Sequence, residues 1–350
     1  MKKVLYDARW IGNHGIGRFA DELGRRLSGL SLFQRARRPW HPFDPILLGS
    51  ELWGRNADLF FSPGYNSPVG WPGRFVFTLH DLNHLNVSDN SSAVKRAYYR
   101  YVIRPACRKA TFVLTVSEYS RREIANWANV GEEKIINVRN GVGPPFGAHG
   151  RKYDPGYPYL LYVGSRKPHK NLPRLLQAYA LSGIAKELPL VISGAQDQKT
   201  MADIRRLKLS RHVIFLPLDS TELLAEAYRG ATGFLFPSLY EGFGLPPLEA
   251  MASGVPVLTS NVCSLPEVAG DAAVRVNPLN VEEIAEGIRL IVNDSELRDR
   301  LRDRGPRQAH KFSWEETARR TAGVLAIAVG AKAEPSKLGI ERRRDESFAD

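Results

Sequence analysis

Sulfur is scarce in this chain: 350 residues hold two cysteines, Cys107 and Cys263, and three methionines. Two such cysteines build neither a disulfide framework nor a cysteine-based metal cluster. A reducing compartment is compatible with that scarcity. Long apolar runs are missing too. The opening MKKVLYDARW is too broken to serve as a secretory signal. No stretch approaches the ~20 apolar residues of a membrane span. The expected location is therefore the cytoplasm, with room for peripheral contact at the inner face of the cell membrane. Low-complexity sequence and short-period repeats are absent as well. What remains is ordinary for a globular protein, 43% hydrophobic and 25% charged. The length suggests two domains.

The charge is not evenly spread. The formal net charge is +12, and residues 1–150 carry 21 Lys and Arg against 12 Asp and Glu. That basic half suits an anionic partner: a lipid surface, a phosphorylated ligand or nucleic acid. Solubility alone would explain it equally simply. Arg96, Arg100, Arg104 and Arg108 recur every four residues, interleaved with Tyr98, Tyr99 and Tyr101. On a helix over 93–109, kinked at Pro105, they form one stripe. A basic, aromatic stripe over 95–109 fits an anionic membrane surface, and equally a solvated face. Nucleic acid fits poorly, because no recognised binding module accompanies the charge.

Short apolar runs alternate with helical patterns along the chain. In the first half Lys3–Tyr6, Phe75–Thr78, Thr111–Val116 and Ile135–Val138 read as strands. Residues 143–158 are rich in Gly, Pro and Tyr and read as a linker. Beyond it, strands at Tyr159–Val163, Pro189–Ile192, Val213–Leu216, Gly233–Phe236 and Val255–Thr259 alternate with helices at Leu172–Leu181, Thr200–Leu207, Glu222–Tyr228, Leu248–Ala252 and Val281–Asn293. Such alternation predicts α/β architecture with parallel sheets covered on both faces. Two doubly wound, Rossmann-like domains follow, over 1–150 and 151–312. Sheets of this kind take ligands at the carboxyl ends of their strands. The charged tail 331–350 lacks periodicity and is expected to be disordered.

Four stations at such strand ends carry candidate chemistry. The most informative is FPSLYEGFGLPPLEAMASGVPVLTS, residues 236–260. A strand enters a loop holding Glu241, and Pro246 and Pro247 suit the helix start that follows. A helix start is a natural phosphate site, and Gly242 and Gly244 let the backbone approach a ligand closely. Glu249 lies near that start. Two carboxylates flanking a phosphate site suit sugar hydroxyls, although a cap and a surface residue would look alike. The second station is YVGSRKPHKNL, 162–172, where Arg166, Lys167 and Lys170 crowd a strand end as a diphosphate clamp would. The third is WIGNHGIGRF, 10–19, with Gly12, Gly15 and Gly17 after the first strand; it is not a dinucleotide fingerprint. Arg18 there suits either a ligand contact or a surface position. The fourth is TLHDLNHL, 78–85, which sets His80 just past a strand end.

The 236–260 segment resembles the Glu-x7-Glu signature of the retaining glycosyltransferases of family 4, also called group 1. Glu241 and Glu249 have that spacing. The likeness continues through SLPEVAGDAA (264–273), FSWEETA (312–318) and the upstream stations, covering about residues 4–325. It implies the GT-B fold, two Rossmann-like domains facing a central cleft. The final helix, 313–330, would then return to the N-terminal domain. It implies that Glu241 meets the transferred sugar near its reacting end and that Glu249 holds the ribose. It implies that the backbone of Gly242, Phe243, Gly244 and Leu245 meets the donor. Arg166 and Lys170, with Lys167, would clamp the diphosphate. Gly15 and Gly17 would approach the donor from the N-terminal domain, and His80 would join the catalytic group. Family members often carry Arg directly after the strand-end Gly, where this chain has Ser165. The base-reading region would include Gly194 and Phe215–Asp219, with Pro217 where relatives often carry Gly.

The implied activity is retaining transfer of a hexose from a nucleotide-diphosphate donor to a glycan or lipid-linked acceptor. The nearest-looking relatives build bacterial surface polysaccharide, lipopolysaccharide among them, and point to mannose from GDP-mannose. A UDP-sugar or GDP-deoxysugar donor, or a GT-B sugar-nucleotide epimerase, are the alternatives. No metal and no cofactor is expected. No D-x-D stands where a metal-dependent transferase needs it.

Overall fold

The computed structural model describes residues 2–12, 14–87 and 91–330. The tail expected to be disordered, 331–350, lies outside the described residues. Two compact units divide the chain. One takes the residues up to Asn86, Ser91–Asn140 and the chain from Trp314; the other takes Gly141–Ser313.

The first unit is built on strands β1 (Val4–Asp7), β2 (Leu30–Phe33), β3 (Leu59–Ser62), β4 (Phe75–Thr78), β5 (Phe112–Thr115) and β6 (Ile135–Asn137). Their order is β2-β1-β3-β4-β5-β6, with every pair parallel. LFFS and FVFT, the inner strands β3 and β4, are buried at all four positions. A parallel strand covered on both faces has no polar side, so a continuous apolar run is what it needs. Helices α1 (Gly15–Arg26), α2 (Asp44–Trp53), α3 (Asn83–Asn86), α4 (Ala93–Tyr98), α5 (Arg104–Lys109) and α6 (Glu118–Ala128) complete this part. The sequence reading did not find β2, β3 or α2. Length is not the reason, since β1, β4 and β5 are equally short and were found.

The helix expected over 93–109 is not continuous. A π-helical turn, Tyr99–Ile103, separates α4 from α5, and the Arg104 amide donates to Tyr99 O. Pro105 has no amide to give to the carbonyl four residues back, and the wider turn accommodates that loss. Arg96, Arg100 and Arg108 are exposed and Arg104 is half-buried. Tyr99 is buried and Tyr101 exposed.

In the second unit the strands are β7 (Leu160–Tyr162), β8 (Leu190–Ser193), β9 (Val213–Leu216), β10 (Gly233–Phe236), β11 (Val257–Ser260) and β12 (Val274–Val276). They are parallel in the order β12-β11-β10-β7-β8-β9. Counted within the unit this is the 3-2-1-4-5-6 winding, which reverses between β7 and β10. The helices are α7 (Leu172–Ser182), α8 (Gln198–Arg206), α9 (Thr221–Gly230), α10 (Leu245–Ala252), α11 (Leu265–Ala269), α12 (Val281–Asn293) and α13 (Ser295–Ala309). Leu175, Leu176 and Tyr179 of α7 share a core with Ile284, Ile288 and Ile291 of α12. The stretch read as a linker lies against α9: Tyr153 N donates to Glu226 O, and the Arg229 guanidinium donates to Pro145 O. The last helix, α14 (Trp314–Ala328), is grouped with the first unit. Phe19 of α1 meets Trp314 edge-on, 6.4 Å between ring centroids. Among the described residues no helix is long and apolar enough to cross a membrane.

Candidate active site

Ligands of a doubly wound sheet bind where the winding reverses, because the two flanking loops diverge there and leave a crevice. In the second unit those loops follow β7 and β10. The first carries Gly164–Lys170 and the second Pro237–Gly244, two of the stations read from sequence.

Backbone and side-chain bonds tie these loops together. Asn171, in the left-handed conformation at φ 60°, donates from Nδ2 to Pro237 O at 2.8 Å and Pro278 O at 2.7 Å. Leu239 N donates to His169 O at 2.7 Å. That latch brings Lys170 Nζ to 2.6 Å from Glu241 Oε1. Ser238 Oγ stands 2.6 Å from the same oxygen and 2.9 Å from His169 O. A hydroxyl has one proton, and the nearer, charged acceptor takes it. Ser264 Oγ lies 2.9 Å from both Glu241 O and Phe243 O, bracing the loop from α11's side. Glu241 is thus a nearly buried carboxylate held by an ammonium and a hydroxyl. A buried pair of this kind loses about 3–5 kcal/mol when one partner is removed.

Glu249 sits deeper than the sequence suggested. Helix α10 starts at Leu245, three residues before the expected Leu248, so Glu249 is its fifth residue and is 5% exposed. Tyr228 OH donates to its Oε2 at 3.4 Å. The helix start itself has no side-chain cap; Gly244 precedes it at φ 105°. Pro246 and Pro247 contribute no N–H. Any anion bound there must rely on the amides of Leu245 and the loop before it. Phe243 is buried edge-on against Phe312, 5.7 Å between centroids, which pins that loop.

The cation cluster is only partly assembled. Lys170 reaches Glu241, whereas Arg166 turns the other way. Its guanidinium donates to Ser193 O at 2.7 Å, Gly164 O at 3.0 Å and Asp197 Oδ2 at 3.3 Å. It also lies over the Phe215 ring at 5.7 Å. Lys167 is exposed. A cavity of about 310 Å³ beside this loop is lined by Arg166, Arg174, Asp197 and Lys199 among others. Gly194, at φ 84°, donates to Leu216 O at 2.8 Å and so joins the two loops expected to read a base.

Sequence reading missed Ser238, Ser264, Tyr228 and Asp197. Ser238 carried a usable signal, a hydroxyl three residues before Glu241 in a strand-end loop. Tyr228 and Ser264 did not, since only the packing of α9 and α11 brings them near.

The first unit winds as 2-1-3-4-5-6, so its reversal lies between β1 and β3. Past β1, Gly15 and Gly17 occupy the first turn of α1. His14 caps that helix: its Nδ1 accepts from Gly17 N at 2.9 Å. The Gly17 amide is therefore already bonded within the unit. A Cβ on Gly17 would stand 2.2 Å from Gly12 O, so only glycine fits. Arg18 lies over the Trp314 ring at 6.0 Å. His80, past β4, has Nε2 3.0 Å from Pro63 O and its ring edge-on to Phe19. Against a carbonyl, Nε2 must carry the proton, which leaves Nδ1 as the ring's acceptor. Burial pushes its pKa down to about 4, against the pull of that bond. The imidazole is neutral at physiological pH. Ser117 caps α6 through Ser120 N, and Glu118 accepts from Asn137 Nδ2 at 3.0 Å. Among the described residues no three His, Cys, Asp or Glu side chains gather as metal ligands do.

Comparison with known proteins bears on both units. Residues 150–308 match the family described as glycosyl transferases group 1, and residues 6–144 match glycosyltransferase family 4. The chain is 33% identical over 268 residues to O-antigen chain mannosyltransferase B of Escherichia coli, covering 73% of this chain and 70% of that protein. It is 30% identical over 227 residues to the serotype-specific mannosyltransferase WbdA of Escherichia coli. That match covers 60% of this chain but spans only 28% of the much longer WbdA. Among solved structures, HepE of Anabaena, determined in complex with UDP and glucose, aligns with TM-score 0.74 at 16% identity. The alignment covers 93% of this chain and 100% of HepE; at that identity the likeness speaks for the fold. Two parallel, doubly wound sheets, the Glu241–Lys170 site at a winding reversal and these matches lead to one conclusion: the chain belongs to the group 1, or family 4, glycosyltransferases and is a GT-B enzyme of that class.

Proposed function

We propose that this glycosyltransferase moves mannose from GDP-mannose, with retention, to a glycan or lipid-linked acceptor during surface polysaccharide synthesis. The names of its relatives support the sugar and the process: two of them are mannosyltransferases, one acting on the O-antigen chain. The observation that carries the chemistry is the Lys170–Glu241 contact at the reversal between β7 and β10. An ammonium has three N–H donors. Lys170 can hold Glu241 with one and a phosphate oxygen with another. The diphosphate would rest on the amides of Phe243, Gly244 and Leu245 and on Lys170, with Arg166 and Lys167 as further cations. As it leaves, negative charge grows on those oxygens while the sugar takes on oxocarbenium character. The fixed ammonium and amides stabilise the first; the Glu241 carboxylate steadies the second. Glu249 would hold the ribose, and His80 would accept or share a proton through Nδ1. Gly15 and Gly17 would line the approach to the donor from the first unit. In this reading neither a metal nor a cofactor takes part. Placement in the cytoplasm, with peripheral contact at the membrane's inner face, belongs to the same proposal.

The test is a calorimetric panel of GDP, UDP, ADP and their sugars, with chelator present, followed by turnover with Glu241→Gln. Selective binding of GDP-mannose is expected, and the variant should lose about 100-fold or more in kcat with donor affinity little changed. Selective binding of UDP would favour the UDP-sugar reading. Conversion of donor without any acceptor would favour an epimerase. No nucleotide binding by folded protein would overturn the donor site.

A further inference from the structure

Lys170 and Arg166 leave one loop for opposite faces of the second sheet. In β10, Leu235 packs into the core shared with α7 and α12. Its neighbours Phe234 and Phe236 point the other way, as successive strand residues must. Their rings stack at 5.8 Å, and Phe234 meets Tyr228 of α9 edge-on at 5.2 Å. Lys170 Nζ lies over Phe236 at 5.1 Å, on the side where Tyr228 also reaches Glu249. Arg166 lies instead over Phe215, which packs against the α7 core. Its guanidinium therefore faces the 310 Å³ cavity between the starts of α7 and α8, on the face away from Glu249.

The acids of that cavity are engaged and its cations are not. Asp197 takes Arg166 on Oδ2 and caps α8 through Thr200 N at 2.9 Å on Oδ1. Asp203 is paired with Arg206 at 2.7 Å. Arg174 and Lys199 line the same space, and among the described residues neither has a carboxylate partner. Arg174 gives one N–H to Asn171 Oδ1 at 3.1 Å, and the rest of its fork remains open. Helix α7 starts on this cavity without a side-chain cap, which adds partial positive charge. Two uncommitted cations beside Arg166 select a dianion such as a phosphate. The volume selects something larger than phosphate: at ~30 Å³ per water it holds about ten, so a bare phosphate would leave most of it empty. The oxygens of Asp197, Asp203 and Thr200 suit hydroxyl groups on the remainder. We infer that this cavity is a second ligand site, separate from the donor crevice, for a hexose phosphate. Its phosphate would rest on Arg174 and Lys199, and its occupant would hold Arg166 on this face of the sheet.

The experiment is calorimetry of the full chain with mannose 6-phosphate, mannose and inorganic phosphate, without and with saturating GDP. Binding of mannose 6-phosphate is expected with and without GDP, at least tenfold tighter than that of mannose or inorganic phosphate. Arg174→Gln with Lys199→Gln should weaken it about tenfold or more, since each removes a charge-assisted bond. Both side chains lie outside the donor crevice, so the double variant should keep its circular dichroism and its basal turnover. No binding by the wild type, or undiminished binding by the double variant, would overturn the proposal. So would complete displacement by GDP, which would put the sugar phosphate in the donor crevice. Equal affinity for inorganic phosphate would overturn the hexose part and leave a simple anion site. Mannose 6-phosphate binding that the double variant loses, in a protein that binds no nucleotide, would sink the donor assignment and leave this site standing.

Discussion

Helices α1 and α10 begin alike in sequence and differently in space. Each follows a strand, and each has glycines at its entrance, Gly15 and Gly17 for α1 and Gly242 and Gly244 for α10. At α1 the His14 imidazole fills the capping position and takes the Gly17 amide. At α10 no side chain caps, and two prolines remove amides from the first turn. The lesson is that glycine before a helix marks close packing as readily as ligand binding. At Gly17 the close neighbour is the chain's own Gly12 carbonyl; at Gly244 it is the tip of the flexible Leu265 side chain.

Substitutions can break that contrast. Gly17→Ala forces a methyl into a backbone oxygen and should cost more than about 2 kcal/mol of stability, read as a large fall in Tm. Gly244→Ala has to hold φ 105° with a side chain, a strain of about 1–3 kcal/mol. Its expected mark is on donor KM and kcat, with a smaller Tm change than Gly17→Ala; equal behaviour of the two would dissolve the comparison. His14→Ala opens α1 as α10 is open and should cost on the order of 1 kcal/mol. Cap and neutrality are linked, because an imidazolium Nδ1 cannot accept. Burial lowers His14, and it lowers His80 and His169 to about 4 each. For a histidine lowered on folding, the unfolded chain binds the proton more tightly. Stability is therefore full above the unfolded value near 6.5 and is lost as pH falls toward about 4. A Tm–pH profile flat through this range would contradict the neutral cap. Smallest is Ser238→Ala, which removes one of two partners from Glu241 Oε1. About 1 kcal/mol, or roughly fivefold in kcat/KM, is expected with unchanged fold.

Much of the second unit was legible. Val213–Leu216, Gly233–Phe236 and Val281–Asn293 lie where their apolar patterns put them, and Gly254 closes α10 at φ 74° as a helix-end glycine does. The first unit was less so. LFFS and LSLF are no shorter than strands that were legible, and α2 (DPILLGSELW) has only Ser50 and Glu51 as polar residues off its buried face, too few to mark a helical period. The Glu241 and Lys170 stations were visible as residues; their 2.6 Å contact was not, since 71 positions separate them. Arg166 shows the converse. Its place at a strand end was readable, but its turn toward Ser193 and Asp197 depends on the neighbouring β8 loop.

By itself the sequence determined the class of fold, the doubly wound alternation and the residue types at the strand ends, because strand and helix periodicity and the chemistry of single side chains are local properties. Only the tertiary structure decided which cation reaches Glu241, which glycine-bearing helix start is capped and which face of α2 is left uncovered. Those outcomes depend on contacts between residues far apart in the chain, and a hydrogen bond or a steric clash is settled by distances that no linear pattern specifies.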